Sequence, residues 1–154
     1  MIVKASDFQA EISLGQLEHA DVIAVIDEFI EKYEPKYLSR LLGATLADEL
    51  ADAISQPEPE EQWKNLANMV KKPCANYIYY WFQRDSVSAT SGSGESETET
   101  ENAKRVSPIG KMIRAWNEMV DDSISVTEWA GRYFPNMNPD YRSDIFKRIN
   151  QFGI

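Results

Sequence analysis

Tyr77-Ile78-Tyr79-Tyr80-Trp81-Phe82 and, further on, Ser107-Pro108-Ile109-Gly110-Lys111-Met112-Ile113-Arg114-Ala115-Trp116-Asn117-Glu118-Met119-Val120 decide the fold between them. Both read as helix. Ile109, Met112, Ile113, Trp116, Met119 and Val120 recur at the spacing of one helical face, behind an opening in which Ser107 caps and Pro108 takes the first turn. In the earlier stretch the aromatic residues point all round the helix. This predicts a central helix covered by others, or one whose extra face meets another subunit. Between them runs a Ser/Thr/Gly/Glu-rich insert over 86–102, longer than the roughly 12–15 residues that a structureless loop in a compact domain usually reaches. A small helical body that holds out one long acidic arm is the picture that follows.

The same period continues on either side. Val22, Ile26, Phe29, Ile30 and Tyr33 form a stripe that Glu34-Pro35 is expected to close, since the residue before proline is pushed out of the helical region. Pro35 then opens a short helix burying Tyr37, Leu38, Leu41 and Leu42 and ending at Gly43. Thr45-Leu46-Ala47-Asp48 resembles a capping box, followed by Leu46, Leu50 and Ile54 on one side. After the turn at Gln56–Pro59, a stripe from Trp63 through Leu66, Ala67, Val70, Cys74, Tyr77 and Ile78 to Trp81 predicts a long helix. Pro73 should kink it near Met69–Pro73 or divide it in two. Asp121-Asp122-Ser123 reads as a stop, and Ser125-Val126-Thr127-Glu128 as a full capping box with Val126, Trp129, Ala130 and Tyr133 inside. Asn138-Pro139-Asp140 reads as the start of a last helix carrying Ile145, Ile149 and Phe152. No run alternates at period two apart from an extended piece in the first eight residues. The expected fold is all-α, a single helical domain over 1–154 with about five to seven helices and the projecting loop 86–102.

Composition removes several classes of function. The 154 residues carry a formal charge of −9, and the body stays acidic without Glu95, Glu97, Glu99 and Glu101. Binding along nucleic acid requires lysines and arginines to neutralise phosphates, so neither sequence-specific nucleic-acid binding nor an anionic membrane surface is expected. No apolar run approaches the roughly 18 residues of a membrane span, and residues 1–8 lack the apolar run of a signal peptide. The single Cys74 cannot form an internal disulfide, which fits a reducing compartment.

Little in the chain points to catalysis. His19 is the only histidine, so neither a Ser-His-Asp or Cys-His arrangement nor a multi-histidine metal site can be assembled beyond it. Cys74 lies on the apolar stripe, where a thiol packs better than it reacts. Glu60/Glu61 and Asp121/Asp122 are neighbours in sequence, and neighbours on a helix point apart. Gly92-Ser93-Gly94 lacks the lysine and the strand–helix setting of a phosphate loop. The Tyr/Trp run has no interleaved lysine or arginine with which to stack bases. No enzyme, cofactor or metal is expected. Two readings stay open for the arm: a solvated tether, or a segment that orders on assembly by strand addition or in a neighbour's groove. On the second, the contact residues are Thr90, Gly92, Gly94, Glu95, Glu97, Glu99 and Glu101, with Tyr79 and Tyr80 at the base.

Glu34-Pro35-Lys36-Tyr37-Leu38-Ser39-Arg40-Leu41-Leu42-Gly43 resembles a stretch of small tailed-phage and prophage virion proteins. The aromatic helix, Ala89-Thr90-Ser91-Gly92, Glu101-Asn102-Ala103 and Lys111…Ala115-Trp116-Asn117-Glu118-Met119-Val120 are similar to proteins in phage-derived regions of Bacteroidetes genomes. The helix–long loop–helix plan resembles the head completion (head–tail connector) proteins, over roughly Asp21 to Val120. That resemblance implies a structural protein without catalytic residues, joining the head to the tail in a ring beneath the portal. Its partners would be portal and tail proteins and its own copies, and its location the bacterial cytoplasm and then the virion. An acidic channel would let DNA slide without sticking. The alternative is a bacterial helical adaptor or regulatory binding module unrelated to virions.

Overall fold

Ile26, Ile30, Tyr33, Tyr37, Leu38 and Leu41 run as one buried stripe along helix α1 (Ala20–Leu42), which passes through Pro35 without interruption. The computed structural model describes residues 1–8, 20–91, 94–97, 108–135 and 146–150. The two helices expected on either side of Pro35 are therefore one. An interior proline costs about 3 kcal/mol and frees one carbonyl, but Glu31 and Pro35 both lie on the exposed side, where water can take that bond. Each fully buried large side chain in the stripe contributes about 1.5–3 kcal/mol. Packing on both sides of the proline outweighs the local cost.

Gly43 ends α1 as its sequence suggests, at φ 81° and ψ 156°, a conformation that residues with a Cβ avoid. It also occupies the N-cap of α2 (Ala44–Ser55), where no side chain caps the helix, so the box expected at Thr45–Asp48 does not form. Leu46, Ala47, Leu50 and Ala53 face inward. Helix α3 (Glu61–Val87) runs as one helix through Pro73, not as two, with Val70, Cys74, Tyr77 and Ile78 buried around that residue.

Helix α4 (Ile109–Tyr133) corrects the sequence reading most. The stop at Asp121-Asp122-Ser123 is absent because each of its side chains finds a tertiary partner, and the helix runs on through the capping box expected at Ser125. Ser123 is buried and shares a 2.8 Å hydrogen bond with the Tyr37 hydroxyl. Asp122 pairs with Lys72 at 3.2 Å and Asp121 with Arg148. Ser123 thus fills a slot in a stripe that continues through Val126, Thr127 and Ala130. Pro108, not Ser107, stands at the N-cap, and Ser107 lies outside the described residues. Tyr133, expected inside, is 58% exposed.

The fold is all-α with four helices among the described residues, fewer than expected, because α1 and α4 each absorb two predicted segments. The helix expected from Asn138 falls largely outside the described residues, and Phe146–Asn150, which is described, is not helical. Ring contacts order the bundle: Phe29 meets Phe82 and Tyr37 meets Tyr77, while Trp63 meets Phe134 and Tyr80 meets Trp116. Helix α3 therefore runs antiparallel to both α1 and α4 and lies between them, the central position its aromatic residues predicted.

The N-terminal piece is tied to the same core. Its first residues lead into a 3-10 turn (Ala5–Phe8), with Val3 and Phe8 fully buried. The buried Glu34 carboxylate accepts the Ile2 N–H at 2.9 Å and the Val3 N–H at 2.8 Å. Asp7 adds an ion pair to Lys71 at 3.2 Å.

Candidate functional site: the hairpin arm and its base

The arm begins later than the 86–102 loop expected, and part of it is regular. Helix α3 takes its first two residues, ending at Val87. Strands β1 (Ser88–Ser91) and β2 (Gly94–Glu97) then pair antiparallel, Ser88 with Glu97, Ala89 with Ser96, Thr90 with Glu95 and Ser91 with Gly94. Regular pairing, expected of this segment only on assembly with a neighbour, forms within one chain. Two residues separate the strands, the shortest common hairpin connection.

Of the contact residues read from the sequence, Thr90 and Glu95 face each other across the ladder, Gly94 opens β2 and Glu97 closes it. Gly92, Glu99 and Glu101 lie outside the described residues. Tyr79 is packed inside the body, 2% exposed. Burial pushes its phenol above the ordinary value, an effect that the Arg114 cation partly offsets. Tyr80 is half-buried, its ring 4.7 Å from that of Trp116. Tyr79 is therefore a core residue, and Tyr80 belongs to the base of the arm.

That base is a continuous aromatic cluster. Tyr33 stacks on Trp81 at 5.4 Å and 6°, Tyr77 meets Tyr37 at 5.4 Å, and Trp116 lies 6.0 Å from Tyr77. Pairs of this kind contribute about 0.5–1.5 kcal/mol beyond their buried area, so the helix ends that carry the arm are held stiffly.

Sequence reading also missed the cations around these rings. Lys32 and Lys36 sit over Tyr33 at 4.9 and 5.1 Å, and Arg84 over Trp81 at 5.1 Å. Lys32 and Lys36 lie one and three residues from Tyr33 on α1, and Arg84 lies three from Trp81 on α3, so each is a contact along a single helix. Glu28 and Lys32, one turn apart on α1, are the kind of signal that would only have suggested a solvated face. Because Tyr33 is already covered by Trp81 and the lysines, its faces do not offer the open platform that stacked bases require.

The remaining candidates are placed as follows. Cys74 is 1% exposed, and burial first, then the Glu34 carboxylate, push its thiol well above the ordinary value of 9.0. Asp121 and Asp122 each pair with a cation, as described, and Glu60 accepts a hydrogen bond from Gln62 at 3.0 Å. His19 lies outside the described residues. Among the described residues no group of three or more His, Cys, Asp or Glu could hold a metal ion, and no helix is long and apolar enough to cross a membrane. A cavity of about 120 Å³ opens where α1, α2 and the end of α4 meet, lined by Leu41, Leu42, Leu46, Thr127, Ala130, Gly131, Phe134 and Pro135. None of these side chains titrates, and the Thr127 hydroxyl is already given to the Ile124 carbonyl at 2.6 Å.

Comparisons with protein-family models, with curated proteins and with solved structures found no match to this chain.

Proposed function

We propose that this chain is a non-enzymatic assembly protein of a phage or prophage particle. It would join the head, at the portal, to the tail through subunit–subunit contacts in a ring. The observation that carries the reading is the hairpin Ser88–Glu97. A two-stranded hairpin alone in water is marginal at best, and this one contains no large apolar residue. Among the described residues neither strand pairs with a third, so each keeps one edge of backbone donors and acceptors. Such edges accept a further strand, in which main-chain bonds supply affinity. Glu95 and Glu97 would favour a basic receiving surface and disfavour unintended pairing. The aromatic base gives the arm a fixed point of departure from the body.

The test replaces 88–97 with a short Gly/Ser linker and measures light scattering of the full chain, alone and with a candidate portal ring. Retained helical circular dichroism with lost ring binding is the expected result. A variant that still binds the portal and still joins heads to tails refutes the reading. A bacterial helical adaptor is the second reading. It would draw on the apolar end of the body, where the exposed Tyr133 stacks on Trp129 at 4.4 Å near the cavity. Portal, capsid and tail genes beside this one would favour the virion.

A further inference from the structure

The segment 146–150 has no regular secondary structure, yet it is tied to α4 at defined points. The Trp116 indole N–H donates to the Lys147 carbonyl at 2.7 Å. The Asn117 side-chain amide donates to the Ile149 carbonyl at 3.0 Å, and its oxygen accepts the Ile149 N–H at 2.9 Å. Arg148 pairs with Asp121. Phe146, 5% exposed, closes the junction of three helices: it stacks on Tyr37 of α1 at 5.6 Å, and lies 5.9 Å from Tyr77 of α3 and 6.1 Å from Trp116 of α4. The segment is a strap across the bundle of its own chain, and one of its bonds goes to a ring that also supports the arm.

Trp116 stands where the buried part of the α3–α4 pair ends. It is the first aromatic residue of α4, and Ala115 is the first buried one. Toward the arm, residues 80–85 of α3 and 109–114 of α4 are all half-buried or exposed. Stretches with so few buried contacts open locally at the lowest cost. The Tyr80 and Trp116 rings, 4.7 Å apart, join the two helices at this boundary. Tyr80 in turn meets Trp81 at 5.6 Å, which stacks on Tyr33 of α1. Trp116 is itself half-buried, so its orientation depends on what holds it, and the Lys147 carbonyl is one of those holds.

We propose that the strap is a positioning element for the arm. By fixing the Trp116 indole it holds Tyr80, and with Tyr80 the helix ends from which the hairpin departs. The inference rests on the reading of the arm as the contact with another subunit, and it adds what sets how rigidly 88–97 is presented. Coupling of this kind is carried by packed rings and hydrogen bonds in direct contact. Here a single residue, Trp116, stands between the strap and the base of the arm. A tail that merely covered the core would stabilise the bundle evenly, whereas a positioning strap acts first on the ends that carry the arm.

Amide hydrogen exchange of the full-length chain, with no partner present, tests this. Phe146→Ala should speed exchange at 81–85 and 112–114 by at least about ten-fold more than it speeds exchange in α2. Leu50→Ala is the control, a buried position of α2 outside the strap's contacts, compared at urea concentrations that match global stability. It should speed exchange in α2 and leave the arm-bearing ends as in the parent. Trp116→Phe keeps a ring beside Tyr80 but loses the bond to the Lys147 carbonyl, and should give a smaller rise with the same pattern. If Phe146→Ala does not fold, Trp116→Phe decides alone. Even acceleration across α2 and the arm-bearing ends overturns the proposal. Exchange is read on the free chain and portal binding on the complex, so the strap can fail while the hairpin reading stands, and the reverse.

Discussion

Glu34→Ala should cost this protein about 3 kcal/mol, through a contact that no local sequence pattern announces. The carboxylate is 6% exposed and accepts two backbone N–H groups, from Ile2 and Val3, across more than thirty residues of chain. Hydrogen bonds to a charged group contribute about 1.5–3 kcal/mol each, and a buried donor left without a partner costs about 1–3 kcal/mol. The Val3 bond is fully buried and counts in full; the Ile2 bond is part-buried and counts at the low end. Relief from burying the carboxylate offsets some of the loss, leaving about 3 kcal/mol. For a chain of this size that lowers Tm by about 6–12 °C, at about 2–4 °C per kcal/mol. Glu34→Gln keeps a carbonyl acceptor for one donor and should cost about half as much. Urea unfolding followed by tryptophan fluorescence measures both variants, and amide hydrogen exchange at Ile2 and Val3 reports on the contact itself. An alanine variant within about 0.5 kcal/mol of the parent, with those amides equally protected, would show that Val3 and Phe8 hold the N-terminal piece by packing alone.

Gly43→Ala should lose about 1–3 kcal/mol by chemical denaturation, because φ 81° with ψ 156° is accessible to glycine and strained for alanine. Pro35→Ala should gain about 1–3 kcal/mol, since it restores an interior helix bond on an exposed face; a loss would mean that the proline itself shapes α1. Cys74 should resist a maleimide at pH 8 in the native protein and react fully in urea, as expected of a buried thiol whose pKa lies well above 9.0. Unfolding free energy should be level from pH 7 to 8 and fall as pH rises beyond about 9. Above that point the unfolded chain releases the Cys74 proton and then, past 10.0, those of Tyr77 and Tyr79, while the folded chain retains them. Burial is the first cause of all three upward shifts, and Cys74→Ala should remove the earliest part of the decline in an alkaline urea series.

The helical period was legible without coordinates: the stripes of α1, α2 and α3 pack, and of the stripe opening α4 Trp116, Met119 and Val120 do, while Ile109 is 53% exposed. Where the sequence misled, a local signal competed with a tertiary partner. Pro35 looked like a boundary because local sterics say so, yet burial on both sides carries the helix through. Asp121-Asp122-Ser123 looked like a stop because polar side chains there usually bond to their own backbone. In this fold Lys72, Arg148 and Tyr37 take those side chains instead. The arm was visible as composition, but its register was not, since ten residues of Ser, Thr, Gly, Ala and Glu carry no side-chain pattern that specifies pairing.

By itself the sequence determined an all-helical body with a central aromatic helix and a polar insert between two helices, because hydrophobic periodicity is a local property. Only the tertiary structure decided where Glu34, Asn117 and Lys72 act. Each meets its partner through contacts between elements distant in the chain: the N-terminal backbone for Glu34, the Ile149 backbone for Asn117, and the Asp122 carboxylate for Lys72. Polar and cationic side chains take their role from whatever is brought within about 3–5 Å of them. That distance is set by packing between helices, which residue spacing along one helix does not encode.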